Sequence, residues 1–122
     1  MILPYMMNRP ANTEVYADLR TEMIALGRSL TAAEAELRVP QSPAWAIRDV
    51  IAHVVGIVDD ILSDNLADIG ADSWTEVHVS SRTDKTLDQI CDEWSALAPG
   101  FDALGEVQSR SADPDPAASW AP

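Results

Sequence analysis

The sequence predicts an all-α protein, a helical bundle built from about three long helices. Two observations carry this. Apolar residues recur at alternating three- and four-residue spacing through three separate stretches, the spacing that gathers side chains on one helical face. Helix-start signals stand in front of helical stretches, as Thr31-Ala32-Ala33-Glu34 and Thr86-Leu87-Asp88-Gln89, both of capping-box form.

The first long helix is expected over about residues 13 to 30. Val15, Leu19, Met23, Leu26 and Leu30 form its apolar seam, and Asn12 or Thr13 can cap it. Thr31 and Glu34 then open a short helical turn. Val39-Pro40-Gln41-Ser42-Pro43 breaks the chain, because each proline disfavours helix at the residue before it. The second helix is expected over about 45 to 66, with Ile47, Val50, Ile51, Val54, Val58, Ile61 and Leu62 on one stripe and Gly70 just past its end. Residues 71–85 read as a connector anchored by Trp74, Val77 and Val79. The third helix starts at the Thr86 capping box, and Leu87, Ile90, Trp94, Leu97, Phe101 and Leu104 give it a bundle-type seam. Pro99 is expected to kink or divide it. Residues 1–12 read as a flexible leader, 13–104 as the bundle domain, and 105–122 as a mobile tail whose one large apolar group is Trp120.

Composition excludes several classes of function. A net charge of −12 argues against nucleic acid and anionic membrane as partners. No apolar run approaches the ~20 residues needed to span a bilayer. Cys91 is the only cysteine, so neither a disulfide framework nor a thiolate metal cluster is available. It lies beside the third seam and reads as a small packing residue. The expected address is cytoplasmic.

The chemistry rests on His53. In helical projection it lies off the apolar stripe and roughly 20 to 40° from Asp49, Asp60 and Asp64. An imidazole beside carboxylates suits a divalent metal; the bland alternative is a histidine on a solvated acidic face. His78, next to Glu76 in the connector, is the only other histidine and reads as a solvated loop residue or a minor ligand.

The order Pro43-x-Trp45-x-Ile47-Arg48-Asp49-Val50-Ile51-Ala52-His53-Val54-x-Gly56 resembles the second helix of the mycothiol-dependent maleylpyruvate isomerase N-terminal domain, a branch of the DinB-like superfamily. Val77 to Leu87, running on to Asp92-Glu93-Trp94, looks like the loop and third helix of the same domain. The likeness covers roughly 13–104. It implies a DinB-like up-and-down bundle of four helices holding a divalent metal, usually zinc. The implied ligands are one histidine from the second helix and a Glu/His-x-x-x-His pair from the fourth. His53 matches the first ligand; no residue here matches the other two. The fold expected is therefore a DinB-like bundle truncated to about three long helices.

The resemblance also implies that the metal binds mycothiol as a thiolate, the coordinated thiol losing its proton. Asp49 and Asp60 are candidate helpers to His53. With two of three ligands absent, weak zinc binding and an incomplete catalytic site are expected. The rival reading is a non-catalytic helical interaction module. Apolar seams on three helices exceed what a three-helix core needs, so a homodimer is expected to cover the excess. The tail with Trp120, or a segment of a longer product, is the alternative cover.

Overall fold

The computed structural model describes residues 12–112, with 108–112 as backbone only. Among these residues are five helices: α1 (Asn12–Ser29), α2 (Ala32–Ala35), α3 (Ile47–Leu62), α4 (Asp72–Ser80) and α5 (Leu87–Ala112). One small antiparallel hairpin, β1 (Arg38–Val39) with β2 (Ser42–Ala46), joins α2 to α3. The all-α bundle expected from the sequence is what forms.

Both capping boxes are made. Thr31 N–H donates to Glu34 Oε1 (2.9 Å) while Glu34 N–H donates to Thr31 Oγ1 (3.1 Å). Thr86 and Gln89 repeat the arrangement at 2.9 and 3.1 Å. Each box satisfies two amide donors that the first turn of a helix leaves without partners.

α3 is the central element, packed on α4 and on α5, while α1 lies on α5. Ile51, Ala52 and Val55 from α3 meet Leu87, Ile90, Cys91 and Trp94 from α5 in the core. The α5 seam is as expected: Leu87, Ile90 and Trp94 are buried, and Leu97, Phe101 and Leu104 half-buried. Trp45 is half-buried rather than fully enclosed. α3 is shorter than expected at both ends. β2 claims Trp45 and Ala46 through the ladder pair Arg38 with Ala46, and the chain turns at Ser63 and Asp64, the latter at φ 56°.

Four expectations need correction. Residues 71–85 are not a simple connector, since α4 occupies much of them. Pro99 lies inside α5 without dividing it, and the helix runs on to Ala112, past Leu104. The seam of α1 is turned by about one residue. Val15, Leu19 and Leu26 are 40%, 55% and 52% exposed. The face toward α5 instead carries Tyr16, Arg20, Met23 and Gly27. Arg20 sets that rotation with a two-pronged ion pair to Asp102 (2.8 Å on each arm), and Gly27 lets Cys91 Sγ come so close that a Cβ would sit 2.9 Å from it. The expectation for the leader at 1–12 lies outside the described residues except at Asn12, which begins α1, and that for Trp120 lies outside them.

Arg82 fixes α4 in place. It is 6% exposed and donates from Nε and Nη2 to Glu93 of α5 (3.0 and 2.7 Å). Nη2 also faces Asp59 of α3 at 3.5 Å, and Nη1 donates to the His78 carbonyl at 3.0 Å. Arg48 of α3 holds the following loop by donating to the carbonyls of Arg82 (2.8 Å) and Lys85 (2.5 Å).

Burial pushes the Glu93 carboxyl up, but hydrogen bonds from Arg82 and Lys85 outweigh it and hold the group below its ordinary value. Asp102 is held low chiefly by its hydrogen bond from Arg20. A carboxyl depressed in the folded state contributes stability above its unfolded pKa, about 4, and loses it as pH falls through the folded value. Thermal denaturation should therefore show Tm falling as pH drops below about 4, and falling less in Glu93→Gln. Arg82→Ala should cost about 1–3 kcal/mol in urea melts, because the His78 carbonyl loses its Arg82 donor while Glu93 keeps its bond from Lys85.

Candidate metal and thiol site

The site is assembled on the face of α3 that α4 covers. His53 projects from the middle of α3 and is half-buried. Trp45, delivered by β2, packs beside it with ring centroids 5.4 Å apart. His78 comes from α4, is 2% exposed, and faces His53 with the two Nδ1 atoms 3.0 Å apart. On its far side, His78 Nε2 lies 2.5 Å from Asp60 Oδ2. Asp60 is itself held by Asn65, whose side-chain amide donates to Oδ1 at 3.0 Å. Trp74 stands edge-on to His78 at 4.3 Å and donates its indole N–H to the Asn65 carbonyl (3.0 Å). Two imidazoles, one carboxylate and two indoles thus form one connected cluster.

An ionised carboxylate only accepts, so His78 Nε2 is the donor to Asp60. Between the two Nδ1 atoms one nitrogen donates and the other accepts, the direction being set by the tautomers. Burial first, and the neighbouring His78 second, lower the pKa of His53 below its ordinary value. It is therefore neutral at pH 7, the form that binds metal.

Gly56 makes the pairing possible. A Cβ at this position would lie 2.3 to 2.5 Å from Cγ, Cβ and Cδ2 of His78. No side chain larger than hydrogen fits beneath the imidazole. The glycine costs α3 some helix propensity, about 1 kcal/mol, and gains the close approach of α4.

The structure redistributes the candidates read from the sequence. His53 does not lie on a solvated face, because α4 covers it. Asp60 is in the cluster but orients His78 rather than His53. Asp49 is not: its Oδ2 accepts from Ala46 N–H at 2.9 Å, capping α3, and Arg48 lies 3.4 Å from its Oδ1. His78 was the residue most underrated. Its i, i+4 spacing from Trp74 is the signal that a helix brings these two side chains to one face. Cys91 stays a packing residue, fully buried, with burial raising its thiol pKa.

An open cleft of about 620 Å³ lies elsewhere, lined by Gly27, Leu30, Arg48, Lys85 and Leu87 among others; none of His53, His78 and Asp60 borders it. Among the described residues, no group of three or more His, Cys, Asp or Glu is placed to hold a metal ion. The cluster supplies two converging ring nitrogens and a carboxylate that addresses one of them from behind.

The family model of the mycothiol maleylpyruvate isomerase N-terminal domain matches residues 16–121. The chain belongs to this family. The match takes in α1 from Tyr16 onward and every later element, so the fold and the His53 helix are both within it. No curated protein and no solved structure matches the chain. Among the described residues, no helix is long and apolar enough to cross a membrane.

Gly56→Ala is expected to lower stability by about 1–3 kcal/mol through overpacking. It should also separate the two histidines, since α4 is what must move. Urea denaturation measures the first effect. Loss of the His53 to His78 contact in imidazole-detected NMR measures the second, and an unchanged contact would contradict the role given to the glycine.

Proposed function

We propose that this domain holds a divalent metal, zinc, at His53 and binds a low-molecular-weight thiol there as its thiolate. The observation that carries the reading is a half-buried histidine kept neutral by burial and aimed at a second imidazole nitrogen. Family membership supports it, since the family is named for a mycothiol-dependent isomerase. The chemistry is that of a Lewis acid: a metal-bound thiol is deprotonated at neutral pH and becomes a nucleophile. Trp45 and Trp74 beside the imidazoles keep the surroundings apolar, which strengthens the attraction between cation and thiolate. A cytoplasmic address accords with such a cofactor and with the free Cys91.

Catalytic zinc sites keep about three protein ligands and one open position. With two imidazoles and no third ligand among the described residues, the proposed role is thiol binding, and isomerase turnover by the chain alone is not part of it. Cobalt(II) substitution tests this. Adding mycothiol should produce a thiolate-to-cobalt absorption band and release about one proton per thiol at pH 7. Both should vanish in His53→Ala. A cobalt-loaded protein that shows neither would end the thiol reading.

A second reading, a helical interaction module, is favoured by one observation. Val15, Leu19 and Leu26 leave an apolar stripe exposed along α1. A homodimer through this stripe should appear in sedimentation equilibrium and dissociate in Leu19→Glu. A monomer at high micromolar concentration, with Tm independent of concentration, would exclude it.

A further inference from the structure

We propose that the cleft where the end of α1, α2 and the start of α5 meet is a binding site for a free α-amino acid with an apolar side chain. This does not rest on a metal or a thiol at His53, since none of His53, His78 and Asp60 borders the cleft.

The space is of ligand size. Its volume of about 620 Å³ falls within the ~300–1,000 Å³ of small-molecule pockets. Leu30, Ala35 and Leu87 give it an apolar wall, half-buried or buried.

Arg48 supplies recognition of a carboxylate. Its side chain is 10% exposed, and Nη2 is taken by the carbonyls of Arg82 and Lys85. Nε is differently placed. The carboxylate beside it, Glu36 Oε1, lies at 3.6 Å, beyond hydrogen-bond range. Among the described residues the one sealed polar side-chain atom without a partner is Trp94 Nε1. Arg48 Nε is therefore open, and the cleft is the space that Arg48 borders. A donor on a largely buried guanidinium is costly until an acceptor reaches it, and a carboxylate oxygen makes the stronger, charge-assisted bond.

The start of α5 adds two donors. The capping box satisfies the amides of Thr86 and Gln89, while those of Leu87 and Asp88 have no hydrogen-bond partner among the described residues. Both residues line the cleft. The bond from Arg48 to the Lys85 carbonyl holds the guanidinium close to them in the chain. The 26 residues of α5 present their positive end here.

The mouth carries the opposite charge. Glu36, Asp84 and Asp88 are exposed on the lining, and Lys85 is engaged elsewhere, its Nζ bonded to Glu93 at 2.9 Å. A simple anion would meet these carboxylates on its way to one guanidinium. A ligand with an ammonium beside its carboxylate satisfies both charges. Its carboxylate accepts from Arg48 Nε and the α5 amides, and its ammonium donates to Glu36. The short distance between Arg48 Nε and Glu36 suits two charges carried one carbon apart. The ligand side chain then lies on Leu30, Ala35 and Leu87, where burial of apolar surface adds affinity.

Amide NMR titration of the full chain with L-leucine tests the site, beside isocaproate, which lacks the amine, and isoamylamine, which lacks the carboxylate. L-Leucine should give saturable shifts at the Gly27, Leu87 and Asp88 amides. Each analogue should bind about tenfold more weakly or worse, having lost charge-assisted contacts. Glu36→Gln should weaken leucine about two- to fivefold, because Glu36 is exposed, and should leave isocaproate no weaker. Ala32→Trp, at an exposed position of α2 on the cleft, should fill the space and abolish the shifts. Circular dichroism checks that both variants fold, and should Ala32→Trp fail to, Glu36→Gln and the analogues decide. Leucine without saturable shifts would overturn the proposal. Shifts that persist in a folded Ala32→Trp would overturn it too, by placing the ligand elsewhere. Isocaproate or isoamylamine bound as tightly as leucine would overturn the amino acid in favour of a plain carboxylate or a plain amine.

Discussion

The bundle depends on a buried arginine. Arg82 lies where α4 ends, between α3 and α5, and satisfies its guanidinium with Glu93, Asp59 and the His78 carbonyl. α4 is held besides by His78 on Asp60 and by the Trp74 indole on the Asn65 carbonyl. It is short and has no side-chain cap, and much of its apolar surface faces outward. Without the guanidinium, the inner face of α4 would offer α3 chiefly an imidazole and one edge of an indole. The placement of His78 is thus an electrostatic outcome more than a hydrophobic one. Arg20, Arg48 and Arg82 are all buried, and each bonds to an acceptor on another element.

That division marks what could be read from the sequence. α5, both capping boxes and the core of α3 follow from apolar spacing and short polar signals, and all are present. His53 was legible because its helix carries a recognisable order of residues. α4 was not, because its buried positions are His78 and Arg82, residue types ordinarily solvated, and its outward position is Val77. Hydrophobic periodicity points the wrong way in such a segment. The rotation of α1 was hidden for a related reason. Its packing face is decided by the Arg20 to Asp102 pair and by the bare backbone of Gly27, neither of which registers as apolar. Pro99 does not divide α5, because the surrounding seam of Trp94, Leu97 and Phe101 packs as one continuous helix.

The cluster around His53 is built for rigidity. Its polar atoms are joined in series, from the Trp74 indole through Asn65 and Asp60 to His78 and His53. Each link restricts the next, so the orientation of the final imidazole is set by residues on three segments. The series converges on Asp60, which accepts from Asn65 on one side and from His78 on the other. The family resemblance places ligands on a helix for which this sequence offers no match.

Cys91 shows a different side of the same packing. Its sulfur is fully buried, its thiol is held in the protonated form by burial, and Gly27 presses against it closely enough to leave no room for an added atom. Thiol exchange requires a thiolate and an open line of attack on sulfur. Cys91 has neither. An accessible cysteine would be capped by any small disulfide it met. By sealing its one thiol between two helices, this chain withholds that group from exchange with small disulfides.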